Sequence, residues 1–343
     1  MKKLWLHSVR TYLRLGMFFY FKKVVIHHIE NVPKDKPVLF LGNHQNALLD
    51  ALLIAVYGPR FSFFLTRAAV FKKKFVSKLL KSLQMLPVYR IRDGWNNLTN
   101  NNAIFETCSE LLKDGEAIVI FPEGNHNLAR RVRPLSKGFT RIVFDTLNKY
   151  PDMDLQLVPV GLNYKNALGF PDSTAMFFGK PIAAKRFVSE RKTEGVIKLK
   201  ESIQSELMKL TTHIPQEHYQ NDLKRLLALQ VDFLKPQDVN TCIKSGFTNC
   251  EQKAKSNING LRTLFKGLLI FNLILPYTIW KLIIEPKITE LEFKSTFRFT
   301  VALTLVPFWV LLLTFVLLAY FGWFIALGYF SLTLVLALLA IKL

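Results

Sequence analysis

The central part of the chain alternates between short apolar runs and longer amphipathic stretches. The apolar runs are bounded by turn residues, as buried strands are, and they occupy Pro37–Leu41, Ser62–Thr66, Met85–Tyr89, Glu116–Phe121, Leu155–Val160 and Thr174–Phe178. Helical periodicity predicts helices at about residues 47–57, 70–82, 95–113 and 135–148. Strands that alternate with helices predict an α/β domain whose mostly parallel sheet is flanked by helices.

The end of the chain has a different pattern. No charged residue occurs between Arg298 and Lys342, a run of 43 residues. Because one membrane pass needs about 20 apolar residues, this run predicts a C-terminal transmembrane helical hairpin at 299–341. Its turn is expected in the stretch Tyr320–Trp323. A shorter apolar segment at 264–284 fits either a re-entrant element or a third span, and the pattern leaves both open.

Basic and apolar residues interleave at the N-terminus, where the first acidic residue is Glu30. Arg10 and Arg14 interrupt the apolar run that a signal peptide needs. The pattern favours a basic amphipathic helix in the membrane interface, with a helix packed on the domain as the alternative. The predicted division is therefore an interfacial helix at 1–25, the α/β domain at 26–215, a helical connector at 216–262 and a membrane region at 263–343.

Composition changes the expected partner. The chain has 46 Lys+Arg against 25 Asp+Glu, a formal net charge of +21, yet 50% of its residues are hydrophobic. Nucleic-acid binders are basic without being this apolar, and the chain has no nucleic-acid-binding motif. We therefore expect an anionic lipid bilayer as partner and no nucleic acid.

The cysteine pattern bears on the compartment. The chain has 3 cysteines, which is an odd number, and none forms a Cys-x-x-Cys pair. This pattern argues against a disulfide scaffold or a thiolate zinc site and predicts a reducing compartment.

The first candidate site is Asn43-His44 followed by Asp50, between a predicted strand and a predicted helix. Open α/β sheets place their sites at the carboxyl ends of strands. A histidine there can act as a general base, and a carboxylate can fix its tautomer. Six positions on one helix would put the two side chains on different faces. His44 is therefore expected in the turn before the helix, with Asp50 reaching back to it; a helix-capping His44 is the alternative.

Two further turns follow predicted strands. Arg90 and Arg92 suit an anion such as a phosphate, although Arg92 could instead pair with Asp93 at the surface. The turn Pro122-Glu123-Gly124 is expected to expose a carboxylate and backbone N–H groups. A basic string follows this turn and adds an anion-attracting surface: Arg130, Arg131, Arg133, Lys137 and Arg141. His126 and His44 lack the further ligands that a metal site needs, so no metal is expected.

These three blocks, followed in order by Val158-Pro159-Val160, resemble the glycerophospholipid acyltransferase family of PlsC type over about residues 37–161. Asn43, Pro122 and Pro159 match structural positions of the family motifs. The His-x5-Asp spacing is one residue longer than the usual form. It resembles the branch that includes fungal glycerol-3-phosphate/dihydroxyacetone-phosphate acyltransferases. The family's hydroxyl residue after Gly124 is replaced in the stretch 125–127.

The resemblance implies a membrane-bound O-acyltransferase of phospholipid biosynthesis. It would transfer a fatty acyl group from a thioester, acyl-CoA or acyl-ACP, to glycerol-3-phosphate or 1-acylglycerol-3-phosphate, without a further cofactor. Another lysophospholipid or an amino-acid-headed lysolipid is the alternative acceptor. The implied catalytic residues are His44 and Asp50. The expected substrate-binding residues are Arg90, Arg92, Glu123, Gly124 and Lys137.

We therefore expect an integral membrane protein whose catalytic domain lies on the cytoplasmic face. Five lysines form a further basic face near the first two motifs: Lys72, Lys73, Lys74, Lys78 and Lys81. Anionic headgroups and the phosphates of a CoA-type donor are both possible counter-charges for this face. Plain solubility is the third possibility.

Overall fold

An eight-stranded sheet lies at the centre of the computed structural model, which describes residues 2–89, 101–251 and 259–343. The strands are β1 (Phe21–His27), β2 (Val38–Gly42), β3 (Ser62–Arg67), β4 (Met85–Val88), β5 (Ala117–Ile120), β6 (Gln156–Tyr164), β7 (Asp172–Phe178) and β8 (Ile182–Ala183). Their order is β1-β7-β6-β2-β5-β3-β4, and β8 pairs with β6. Only β6 with β7 and β6 with β8 pair antiparallel among these strands, so the predicted mostly parallel sheet is confirmed.

Helices cover both faces of this sheet. They are α1 (Lys2–Phe18), α2 (Ala47–Tyr57), α3 (Lys74–Ser82), α4 (Asn101–Lys113), α5 (Gly138–Lys149), α6 (Lys192–Leu210), α7 (Tyr219–Ala228), α8 (Pro236–Lys244), α9 (Asn259–Asn272), α10 (Ile274–Thr278), α11 (Lys294–Phe321) and α12 (Trp323–Lys342). Residues of α1, α2 and α11 share one apolar core with the sheet. Residues of α4, α5 and α6 form the core on the other face.

The N-terminal helix is shorter than the sequence predicts. It ends at Phe18, and Phe21–His27 forms β1, which pairs parallel with β7. Lys22 and Lys23 interrupt the apolar pattern by which a buried strand is predicted. The strand tolerates them because β1 lies at the edge of the sheet and one of its sides faces solvent. Helix α1 packs one side on the domain, where Met17 is buried, and leaves other apolar side chains exposed.

The connector between the domain and the membrane region has a small core of its own around Leu226 and Val239. A disulfide joins Cys242 and Cys250, whose Cα atoms are 4.6 Å apart, while Cys108 is buried and free. The cysteine pattern, which argues against a disulfide scaffold, does not indicate this single bond. The two cysteines are eight residues apart in the sequence, and the reversal after α8 at Gly246, with φ of +64°, brings them together.

Two helices at the end of the chain are long and apolar enough to cross a membrane, which confirms the predicted pair of apolar helices. They meet at Gly322, whose φ of +83° lies in the region that favours glycine. Helix α9 and the segment Ile274–Lys287 form an apolar pair that bends by 96° and is the third candidate span of the described residues. Such a bend fits a broken span or a re-entrant loop, so the structure allows two or three passes.

The open end of the hairpin is bonded to the α/β domain. Arg298 donates hydrogen bonds of 2.9 Å to the carbonyl oxygens of Leu168 and Gly169, and one of 3.1 Å to the hydroxyl of Tyr20. At the other helix, Lys342 Nζ donates to the carbonyl oxygen of Phe21 at 2.7 Å. Both helices of the hairpin are therefore bonded to the domain, and the Gly322 turn lies at the far end.

Candidate active site

His44 lies in the turn between β2, which ends at Gly42, and α2, which begins at Ala47. Its Nδ1 is 2.9 Å from Oδ2 of Asp50, which extends from the first turn of α2. This is the arrangement that the six-residue spacing predicts. The imidazole stacks on the ring of Phe121, with centroids 4.2 Å apart, and 12% of its side chain is exposed. The ring is thus held in one orientation at the carboxyl edge of the sheet.

Donors surround the carboxylate of Asp50, which is fully buried. Oδ2 also accepts the backbone N–H of Asn46 at 2.7 Å, and Oδ1 accepts the hydroxyl of Tyr164 at 2.6 Å. Burial and the nearby carboxylate raise the pKa of Tyr164 well above its usual value, so it stays a donor. With Asp50 accepting at His44 Nδ1, the proton lies on that nitrogen and Nε2 is left to accept another. No local sequence pattern points to Tyr164 as a partner of Asp50.

Asn43 ties the turn to the sheet. Its Nδ2 donates to the carbonyl oxygen of Leu162 at 3.0 Å, and its Oδ1 accepts the backbone N–H of Leu162 at 2.7 Å. Pro159 lies in β6 opposite Leu41 in the parallel register. These contacts fix the end of β2 against β6, so Asn43 and Pro159 support the turn that carries His44.

Glu123 is buried rather than exposed, which corrects the expectation for the Pro-Glu-Gly turn. Its side chain is 2% exposed and forms an ion pair with Arg133 at 2.5 Å. Arg133 folds back over the carboxylate from the following loop, and its guanidinium also bonds to Asn125. Burial raises the pKa of Glu123 to about 7, although Arg133 and the backbone N–H of His44 favour the charged form. The carboxylate thus orients Arg133 and the His44 backbone.

The backbone of this turn is largely engaged within the protein. Gly124 adopts φ of +76°, and its N–H donates to the carbonyl oxygen of Phe121 at 3.1 Å. Pro122 is buried, and its carbonyl oxygen accepts the N–H of Ser136 at 2.8 Å. The Gly124 N–H is therefore already bonded within the protein.

Lys137 precedes α5, is exposed, and forms no hydrogen bond or ion pair with His44 or Asp50 among the described residues. Arg90 and Arg92 lie outside the described residues.

His126 connects the site to the membrane region. Its ring centroid is 5.6 Å from that of His44, and its Nε2 is 3.5 Å from Glu290. Across 2–89, 101–251 and 259–343, no group of three or more His, Cys, Asp or Glu residues is arranged to hold a metal ion.

Residues 23–163 match the family model described as Acyltransferase, and this segment contains the His44 turn, β5 and most of β6. A probable 1-acyl-sn-glycerol-3-phosphate acyltransferase of Mycoplasma pneumoniae is 28% identical over 143 residues, 40% of this chain and 51% of that protein. Glycerol-3-phosphate O-acyltransferase 1 of Saccharomyces cerevisiae is 27% identical over 118 residues, 33% of this chain and 16% of that protein. The chain thus spans about half or less of the length of these relatives.

The comparison with solved structures also finds a similar fold. It occurs in the crystal structure of the 1-acyl-sn-glycerophosphate acyltransferase PlsC from Thermotoga maritima. The match has a TM-score of 0.44 and 22% identity, and it covers 60% of this chain and 80% of that one.

Proposed function

We propose that this chain, whose residues 23–163 match the Acyltransferase family model, transfers a fatty acyl group from a thioester to a glycerol hydroxyl. The observation that carries the proposal is the His44–Asp50 pair, which lies 2.9 Å apart at the carboxyl edge of the sheet. The names of the relatives support glycerol-3-phosphate or 1-acylglycerol-3-phosphate as the acceptor. The donor would be acyl-CoA or acyl-ACP, with no further cofactor.

His44 would act as the general base. Its Nε2 removes the proton of the acceptor hydroxyl as the oxygen attacks the thioester carbonyl carbon. Asp50, held by Tyr164 and Asn46, stabilises the imidazolium that forms. The tetrahedral intermediate then collapses, the carbon–sulfur bond breaks, and the leaving thiolate takes the proton from Nε2. An ester and a free thiol result, and His44 returns to its starting form.

Holding the acceptor is the second part of the proposal. Arg90 and Arg92 would bind its phosphate, because guanidinium groups bind phosphate oxygens in pairs, and Lys137 would add positive charge near this site. Glu123 and Gly124 would shape the turn that supports both His44 and Arg133. A correctly held hydroxyl lowers the barrier by removing the entropy of bringing the reactants together.

The catalytic domain would lie on the cytoplasmic face. Lys281, Lys287, Lys294 and Arg298 border the hairpin on the domain side, and cytoplasmic flanks of membrane helices carry an excess of such residues.

Purified protein in detergent, a panel of acceptors and both donor classes would test this proposal, with mass spectrometry of the products. Glycerol-3-phosphate or 1-acylglycerol-3-phosphate should be acylated. His44→Ala should lose the product while keeping the thermal unfolding profile of the wild type. His218→Ala, at an exposed histidine before α7, is the matched control. Turnover by His44→Ala would exclude the mechanism.

Arg90→Ala tests the acceptor class. If the acceptor carries a phosphate monoester, this variant should raise its KM at least about tenfold, the loss expected for a charge-assisted contact. A KM near that of the wild type would point to a different lysophospholipid or an amino-acid-headed lysolipid.

A further inference from the structure

Helix α3 presents apolar and basic side chains to solvent together. Phe75 is 79% exposed and Leu79 is 40% exposed. The lysine face is exposed beside them and consists of Lys72, Lys73, Lys74, Lys78 and Lys81. In the described part of the chain none of these lysines pairs with a carboxylate. No acidic residue occurs anywhere between Asp50 and Asp93. A helix with exposed apolar residues and unpaired lysines has the composition of a membrane-surface element.

The apolar side of α3 continues onto α1. Phe75, Leu79 and Ser82 lie at i, i+4 and i+7 and therefore share one side of the helix. The indole Nε1 of Trp5 donates to Oγ of Ser82 at 3.2 Å, which places the start of α1 at the end of that side. Exposed apolar residues of α1 extend the surface further: Leu4, Trp5, Tyr12, Leu15 and Phe18.

The packing of α1 on α11 determines the depth of α1 relative to the membrane. The hydroxyl of Tyr12 donates to the carbonyl oxygen of Leu303. Gly16 lies against the same residue, since a Cβ there would be 2.4 Å from Cδ1 of Leu303. Leu303 is five residues beyond Arg298, which is roughly 7.5 Å along a helix. Interfacial helices bury their apolar side by about 5–10 Å at the headgroup boundary, so α1 crosses the span at that depth.

From these contacts we propose that α3 docks on an anionic bilayer as a second interfacial element beside α1. Phe75 and Leu79 enter the headgroup boundary, and the lysine face binds lipid phosphates. The phosphates of a soluble thioester donor would also attract the lysines, but they would not require two exposed apolar residues on the same helix. The connection to α1 and through it to the spanning helix α11 favours the bilayer. This docking does not depend on the proposed acyl transfer.

A spin label at Phe75→Cys in the full-length protein tests the docking. The protein is reconstituted into vesicles of phosphatidylcholine alone or mixed with phosphatidylglycerol, and collisions with oxygen and with a water-soluble nickel complex report the depth of the label. In the mixed vesicles the label should lie below the lipid phosphates. The matched control is Ile197→Cys, which replaces a half-exposed apolar residue of α6 on the opposite face of the sheet. Its label should stay in water in both vesicles.

Neutralising the lysines separates the two possible phosphate sources. Lys72→Gln, Lys73→Gln, Lys74→Gln and Lys78→Gln together should reduce the membrane-inserted fraction of the position-75 label at least about tenfold, because each lysine near an anionic surface contributes to binding. The same change at Lys192, Lys198, Lys200 and Lys209 of α6 should leave it unchanged.

Three results would overturn the docking. The first is a label at position 75 that stays in water in the mixed vesicles. The second is a quadruple α3 variant that raises the KM for acyl-CoA without changing the label depth, which would assign the lysines to the donor. The third is an unchanged label and an unchanged KM, which would leave the lysines a role in solubility only. Since label depth needs no turnover, its outcome is independent of whether acyl transfer is observed.

Discussion

Asp50 shows how a single buried side chain determines what the site can do. Burying a carboxylate is unfavourable unless hydrogen-bond donors surround it, and here the donors come from the turn, the histidine and the end of β6. The two oxygens accept hydrogen bonds from different donors. Oδ2 holds His44 and the Asn46 N–H, while Oδ1 holds Tyr164. The orientation of His44 therefore depends on Tyr164, which bonds to Asp50 and not to the imidazole.

Tyr164→Phe should weaken catalysis without removing it. The change leaves Oδ1 of Asp50 buried without its side-chain donor, which should cost about 1–3 kcal/mol of stability. We expect kcat to fall about tenfold, since a less constrained Asp50 holds His44 less well, and KM for both substrates to change little. Steady-state kinetics and thermal unfolding in detergent would measure both effects. Tyr150→Phe, at a tyrosine after α5, is the control; equal losses in both variants would contradict a positioning role.

Glu123 should make stability depend on pH in a defined window. Its folded pKa of about 7 lies above the usual value of 4.5, so between these values the folded protein binds more protons than the unfolded chain. Stability conferred by this group is therefore present at low pH and is lost as the pH rises from about 4.5 to about 7. At 1.36 kcal/mol per pKa unit the loss approaches about 3 kcal/mol.

Glu123→Gln isolates this contribution. Asp172 also has a pKa raised to about 7 by burial, so the wild type alone would report both groups. The unfolding free energy of the wild type, relative to that of Glu123→Gln, should fall as the pH rises from about 4.5 to about 7. Glu190→Gln, at an exposed residue, should show no such trend. A difference that does not change with pH would disprove the raised pKa.

Much of the site could be anticipated from single residues, and the rest could not. The spacing of His44 and Asp50 allows only one geometry if the two are to meet, and the structure has that geometry. Tyr164 and the Glu123–Arg133 pair depend on how β6 and the loop after β5 fold back, which no local pattern encodes. The assigned roles of these residues remain predictions.

At the scale of elements, the close approach of α6 to β6 limits substitution. A Cβ at Gly161 would lie 2.3 Å from the carbonyl oxygen and 2.7 Å from the carbonyl carbon of Leu210. Both atoms belong to the backbone, so a side chain cannot simply rotate away. Gly161 therefore allows the end of α6 to pack on the strand that holds Asn43 and Tyr164.

Gly161→Ala should consequently lower the free energy of unfolding by about 1–3 kcal/mol, the usual effect of overpacking. Chemical or thermal unfolding of the purified protein would measure it. Gly138→Ala, where the nearest atom would be 3.8 Å away, should be close to neutral. Equal stability of the two variants would mean that α6 shifts freely.

The elements themselves were predictable where the sheet is buried on both faces. Central strands read as continuous apolar runs, and β2 through β7 occur where such runs predict them, with ends that differ by a few residues. The edge strand β1 carries two lysines, and most of it falls within the helix predicted at 1–25. The two-residue β8 is too short to give a pattern. The disulfide depended on a reversal that the sequence did not indicate.

At the scale of the whole molecule, Arg298 is the main polar joint between the domain and the hairpin. Arg298→Leu would leave the carbonyl oxygens of Leu168 and Gly169 and the hydroxyl of Tyr20 without this donor. We expect a loss of about 2–4 kcal/mol in unfolding free energy, measured in detergent. Arg186→Leu, at an exposed residue outside these contacts, is the control, and an equal loss there would show a general effect of removing charge.

Helix α11 links the domain to the hairpin. Its residue Phe299 lies in the core of the domain, and the rest of the helix continues into the apolar hairpin. With 28 residues against the 20 of α12, it is longer by about 12 Å, and its first turns are buried in the domain. A bilayer of different thickness changes the tilt of the spanning helices. Because the first turns of α11 are packed in the domain, a change in its tilt would also turn the domain. The distance between the His44 site and the lipid surface would therefore differ between membranes.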